Sequence, residues 1–154
     1  MFLQNLRAKI GARLSGDREA GFTLIELLVV MLILGILAAI AIPAFFNQRD
    51  KGTDAQAKAA VRTAQTAIET YATDNGGDYT GADAADLQAI EDTLVTAAED
   101  NMITVVSADT EGYEVMSTSG TTNTFSITRA GGVVTFSCET PTEGGCPTGG
   151  DWSQ

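Results

Sequence analysis

The 154-residue chain contains no histidine, two cysteines and only nine lysines and arginines. Without histidine it can build neither a histidine-based triad nor a histidine-ligated zinc site. It has no G-x-x-x-x-G-K-[ST] loop with which to hold nucleotide phosphates. Composition alone leaves serine–lysine or paired-carboxylate chemistry open, but no constellation of such groups stands out, which argues against a tethered enzyme. Twenty acidic residues give a formal net charge of −11. So few cations disfavour nucleic acid as a partner, because phosphate contacts need lysine and arginine.

What is present is concentrated in one place. From Phe22 to Phe46 runs a 25-residue apolar stretch whose only charge is Glu26. As a helix it would measure roughly 37 Å, enough to cross a hydrocarbon core of about 30 Å. From Asn47 onward the chain is polar and rich in Thr, Ala, Gly and Asp. The expectation is a membrane-inserted segment attached to one modest soluble domain. Charge divides along the same line. Residues 1–21 carry Arg7, Lys9, Arg13 and Arg18 against Asp17 and Glu19, while the rest holds five basic and eighteen acidic residues. Basic flanks stay cytoplasmic, so the N-terminus is expected inside and the acidic domain outside. Seven residues separate Cys138 from Cys146, with Pro141, Gly144 and Gly145 among them. In an oxidising exterior this pair is expected as a disulfide, two free thiols being the alternative.

Beyond the apolar run the pattern still reads as helix. Ala57, Val61, Ala64, Ile68 and Tyr71 recur at spacings of four and three and form one stripe. That stripe is the predicted seat for the globular head. Lys58, Arg62, Gln65 and Glu69 fall on another face and read as solvated. Pro43 and Gly52 are the weak points, and a kink or an unwound turn is expected at Pro43. Asn75, Gly76 and Gly77 stop the helix. Residues 83–100 read as a short helix, capped by Asp83 with Asp86 at its third position. From Met102 the period changes to two. The runs MITVVS, YEVMST, NTFSITR and GVVTFSC are separated by turn-like residues and predict an antiparallel meander of about four strands. The fold class is therefore α+β.

The segment Gly21–Glu26, G-F-T-L-I-E, follows a short basic leader and precedes a long apolar run. It resembles the type IV prepilin signature, and residues 18–75 resemble the N-terminal half of type IV pilins and the related pseudopilins. An ordinary secretory signal is cut after its apolar run, and AIA at Ala39–Ala41 is a weak site of that kind. The resemblance implies a leader of residues 1–21, a membrane or filament-core helix over 22–46 and an amphipathic half over 47–75. A connecting region over 76–101, a sheet over 102–137 and a C-terminal loop over 138–154 complete it.

The resemblance also implies cleavage between Gly21 and Phe22 by a prepilin peptidase, with methylation of the new Phe22 amine. Glu26 then acquires a role. A carboxylate in a membrane helix costs about 2.5–3.5 kcal/mol on insertion scales, and such residues are functional by default. In a filament its partner is the Phe22 amine of a neighbouring subunit, which fixes the axial register. The alternative is a carboxyl that is protonated or reaches the headgroups. Thr23 either hydrogen-bonds this site or fills space. Gly35, Ala38 and Ala39 allow close helix approach or are plain filler.

Two assemblies compete. In the first, the chain is a structural subunit of a type IV pilus-like surface filament that self-associates, with an assembly ATPase and a membrane platform protein supplying work. In the second, it is a pseudopilin of a type II secretion system. Major pseudopilins commonly carry calcium near the C-terminus, yet Asp109, Glu111, Glu114, Glu139, Glu143 and Asp151 are scattered and form no D-x-[DN]-x-[DN]-G pattern. No cofactor or metal is expected. The Cys138–Cys146 loop resembles the disulfide-closed end of many pilins, which ranks the pilus first. DNA uptake is disfavoured by the five remaining cations.

Overall fold

The computed structural model describes residues 21–97 and 99–153; the leader read at residues 1–21 lies outside them except for Gly21. The chain separates into two compact units divided between Ala41 and Ile42. Helix α1 spans Leu24–Asp74 and contains Pro43. The unwound turn expected there is not observed, because the helix runs on through Pro43. Proline removes one hydrogen bond, to the Ala39 carbonyl, whereas unwinding would bare several backbone groups in an apolar stretch. The Asn-Gly-Gly stop is observed. Gly76 and Gly77 take positive φ, and the Gly77 N–H returns to the Ala72 carbonyl at 2.7 Å.

The second unit is the head. Strands β1 (Met102–Ala108), β2 (Tyr113–Thr118), β3 (Thr124–Ala130) and β4 (Val133–Cys138) form one antiparallel sheet in sequential order. Each pairs with the next in the meander that the period-two runs predict. Alternation selects the face that packs on α1. Tyr113, Val115 and Ser117 are buried on β2, and Phe125 and Ile127 on β3. From α1 the same core receives Ala57, Val61, Ala64 and Ile68, each fully buried, with Ala67 and Ala72 beside them. Small residues on this stripe leave room that the larger strand side chains fill.

Helix α2 covers Ala84–Ile90 and stops there, well short of the 83–100 span that its sequence suggested. Its start matches the sequence pattern. The Asp83 side chain accepts from the Ala85 and Asp86 N–H groups, and the Asp86 carboxylate accepts from the Asp83 N–H. Its early end has a packing cause. Leu94 is drawn into the core, and the Val95 carbonyl accepts from the Ile103 N–H at 2.7 Å. The Gln88 side chain holds the turn by donating to the Leu94 carbonyl and accepting from Thr96. A longer helix would forfeit all of these.

The stripe on α1 is testable by truncation. Ile68→Ala removes a fully buried side chain facing the sheet and should destabilise the head by about 2–5 kcal/mol in urea unfolding followed by Trp152 fluorescence. A change within experimental error would show that the helix does not seat the sheet through this stripe.

Candidate functional site

Two groups of residues stand out, one in each unit. The first lies at the start of α1. Gly21 and Phe22 precede the helix, and Thr23 occupies its N-cap position. The Glu26 carboxylate accepts from the Thr23 N–H and from the Thr23 hydroxyl, both at 2.9 Å. In return the Thr23 hydroxyl accepts from the Glu26 N–H at 3.2 Å. This reciprocal T-x-x-E pair is a capping box, and it places a negative charge at the positive end of the helix dipole. Of the two readings of Thr23, the structure favours hydrogen bonding. Glu26 therefore has a partner within its own chain.

From Phe22 to Phe46 the large apolar side chains of this helix are between 47% and 80% exposed. The stretch is long and apolar enough to cross a membrane. So much apolar area left in water would favour association strongly, at about 25 cal/mol per Å².

The second group was not singled out in the sequence. Asp54 lies on α1 and is fully buried. Its carboxylate accepts from the Ser119 hydroxyl at 2.6 Å, from the Thr121 hydroxyl, and from the Asn123 amide at 3.3 Å. A fourth bond comes from the Gly145 N–H at 2.7 Å. Three donors sit at the β2–β3 turn and one in the loop closed by the Cys138–Cys146 disulfide, whose Cα atoms are 5.9 Å apart. Burial pushes the Asp54 carboxyl up, but the Gly145 N–H and the three side-chain donors outweigh it and leave it below the usual range. Gly144 and Gly145 allow this approach, because a β-carbon on either would collide with Asp54. A sequence signal for Asp54 did exist: it lies three residues before Ala57 and continues the apolar stripe by one turn.

The face read as solvated is corrected at Lys58 and Glu69, which are half-buried, while Arg62 is exposed as read. Lys58 donates to the Gly145 carbonyl at 2.6 Å, and its ammonium lies 5.2 Å from the Phe125 ring centroid. Arg62 lies over Phe136 and Trp152. Glu69 accepts from the Tyr79 hydroxyl at 2.8 Å, the Tyr113 hydroxyl at 3.0 Å and Arg129 at 2.9 Å. Burial, then Glu69, pushes the Tyr113 hydroxyl well above its ordinary range, so it remains a donor. Periodicity marks apolar faces and does not distinguish a solvated polar face from one that binds a sheet and a loop. Among the described residues, no group of three or more Cys, Asp or Glu could hold a metal ion.

A family profile, the prokaryotic N-terminal methylation motif, matches residues 16–42. The type II secretion system core protein G of Pectobacterium carotovorum subsp. carotovorum is 36% identical over 61 residues, 40% of this chain and 39% of that protein. Its counterpart in Pseudomonas aeruginosa is 40% identical over 58 residues, 38% of this chain and 41% of that protein. The type IV major fimbrial protein FimA of Dichelobacter nodosus is 38% identical over 105 residues, 61% of this chain and 67% of that protein. The chain thus spans about two fifths of the core protein G relatives. No solved structure matches it at a significant level. The chain belongs to the type IV pilin and type II secretion pseudopilin family, whose members are structural subunits and not catalysts.

Asp54→Asn should cost the head about 2–4 kcal/mol in urea unfolding, because an amide cannot accept from all four donors. The pH response fixes the sign. A carboxyl held low in the folded state stabilises above its unfolded value and loses that contribution as pH falls through the folded one. Head stability should therefore drop below about pH 4, and Asp54→Asn should flatten part of that drop. An identical acid profile in the variant would contradict an ionised, structural Asp54.

Proposed function

We propose that this chain is a subunit of a type II secretion pseudopilus, held first in the membrane and then in a filament by its apolar helix. The single observation that carries the reading is the exposed apolar segment of residues 22–46 directly behind a prepilin-type motif. Its exposed surface suits lipid before assembly and neighbouring copies afterwards. The acidic head stays outside, the orientation that the basic flank at residues 7–18 favours. The interface between copies is heterologous and does not close, so it propagates as a helix. A prepilin peptidase would cut between Gly21 and Phe22 and methylate the Phe22 amine. A separate ATPase and a membrane platform protein would supply the work.

The relatives named core protein G support secretion over the surface pilus that the C-terminal loop alone ranked first. The pilus remains the second reading for a specific reason. The match to the fimbrial protein reaches beyond the helix, over 105 residues. Removing the chain from its host separates the two: loss of protein export with surface filaments intact supports the pseudopilus, and the converse supports the pilus.

The processing step has its own check. Mass spectrometry of the assembled protein should find a chain beginning at Phe22, with or without one added methyl group. Gly21→Leu should fill the peptidase pocket and leave the precursor in the membrane. A mature chain beginning at Ile42, or an intact Met1, would sink the reading.

Glu26 is assigned two successive partners: Thr23 in the single subunit, then the Phe22 amine of a neighbour in the filament. Breaking a buried ion pair of this kind typically costs about 3–5 kcal/mol. Glu26→Gln keeps an acceptor for the capping box but loses the charge. Processing and membrane insertion should be normal in this variant, and filament yield should fall at least tenfold by electron microscopy. Wild-type yield from Glu26→Gln would leave the capping box as the residue's whole role.

A further inference from the structure

We propose that the Cys138–Cys146 disulfide and the buried Asp54 carboxylate form one latch, in which each holds the other in its closed state. The two meet at Gly145, the neighbour of Cys146. Its N–H donates to Asp54 at 2.7 Å, and its carbonyl accepts from Lys58 at 2.6 Å. Asp54 and Lys58 lie one turn apart on α1 and grip both polar groups of one loop residue. At the other end of the loop Cys138 closes β4, and its N–H donates to the Gly150 carbonyl at 2.8 Å. The disulfide keeps residue 145 within reach of the helix. Once it opens, the loop gains conformations and the Gly145 N–H leaves the carboxylate.

That departure has a definite cost. Asp54 would stay buried against Ser119, Thr121 and Asn123 with one donor missing. The groups facing Asp54 add no compensating charge at the turn, where all three donors are neutral. Asp50 and Lys58 lie on its own helix, and Glu143 lies in the loop. Coupling between two sites is reciprocal. If the closed disulfide favours ionised Asp54, then ionised Asp54 favours the closed disulfide by the same factor. Because such bonds form outside the cytoplasm, the seam between α1 and the C-terminal loop would be completed only after export.

The test is a redox titration of the full-length chain in detergent micelles, equilibrated with dithiothreitol at pH 7. In the step measured, the S–S bond accepts two electrons and two protons to give two thiols, and dithiothreitol is oxidised to its cyclic disulfide. Alkylation and mass spectrometry read the oxidised fraction. Asp54→Asn should be reduced at least tenfold more readily, about 30 mV for a two-electron couple. Glu139→Gln, in the same loop but bonded to Thr124, should titrate like the wild type. Equal titration of Asp54→Asn and wild type, or an equal shift in Glu139→Gln, would overturn the latch. The reciprocal measurement needs no variant. In wild-type protein the Asp54 carboxyl carbon, followed by NMR, should titrate at higher pH after reduction. An unchanged midpoint would also overturn it.

Discussion

The unpaid solvation of residues 22–46 is the constraint on which the rest depends. The large apolar side chains of this stretch are exposed. Under the proposed function the stretch is in lipid or against other copies of itself at every stage of the protein's life. This makes a processed membrane helix and an assembled filament two answers to one problem. It also explains why a charge is tolerated at Glu26. Near the helix start the carboxylate has Thr23 at hand, so its desolvation is partly met within its own chain.

The head solves a separate problem, that of seating a four-stranded sheet on one helix. Apolar packing supplies most of the contact through Val61, Ile68, Val115, Phe125 and Ile127. Polar groups at both margins fix the register. Glu69 gathers Tyr79, Tyr113 and Arg129 at one margin, and Asp54 gathers the β2–β3 turn and the disulfide loop at the other. Neither is a simple ion pair. Asp54 is held by four neutral donors, with the Lys58 ammonium one turn away on the same loop residue rather than paired to it directly. Trp152, buried against Phe125 and Phe136, brings the chain end back to the same seam.

Much of this was legible in the residues, for identifiable reasons. The stripe Ala57–Val61–Ala64–Ile68 and the four alternating strand runs obey one period each, and period is what burial enforces. The Asp83–Asp86 cap and the Asn-Gly-Gly stop are local and need no tertiary context. The misreadings share a different cause. The end of α2 at Ile90 was set by Leu94 entering a core that only the finished fold defines. Pro43 does not unwind the helix. Asp54 does not stand out because a carboxylate reads as solvated unless its place on an apolar stripe is given weight, and the half-buried Lys58 and Glu69 read as solvated for the same reason. At the N-terminus the T-x-x-E spacing was readable as a capping box, and the interest of the single charge hid it.

The central claim is that residues 22–46 pass from lipid into contact with their own kind. Electron cryomicroscopy of filaments purified from the host tests it most directly. The account predicts these segments packed on one another along the filament axis, with each Glu26 beside the Phe22 amine of an adjacent subunit and the heads outside. A filament held together by its heads alone, with the apolar segments apart from one another, would contradict it.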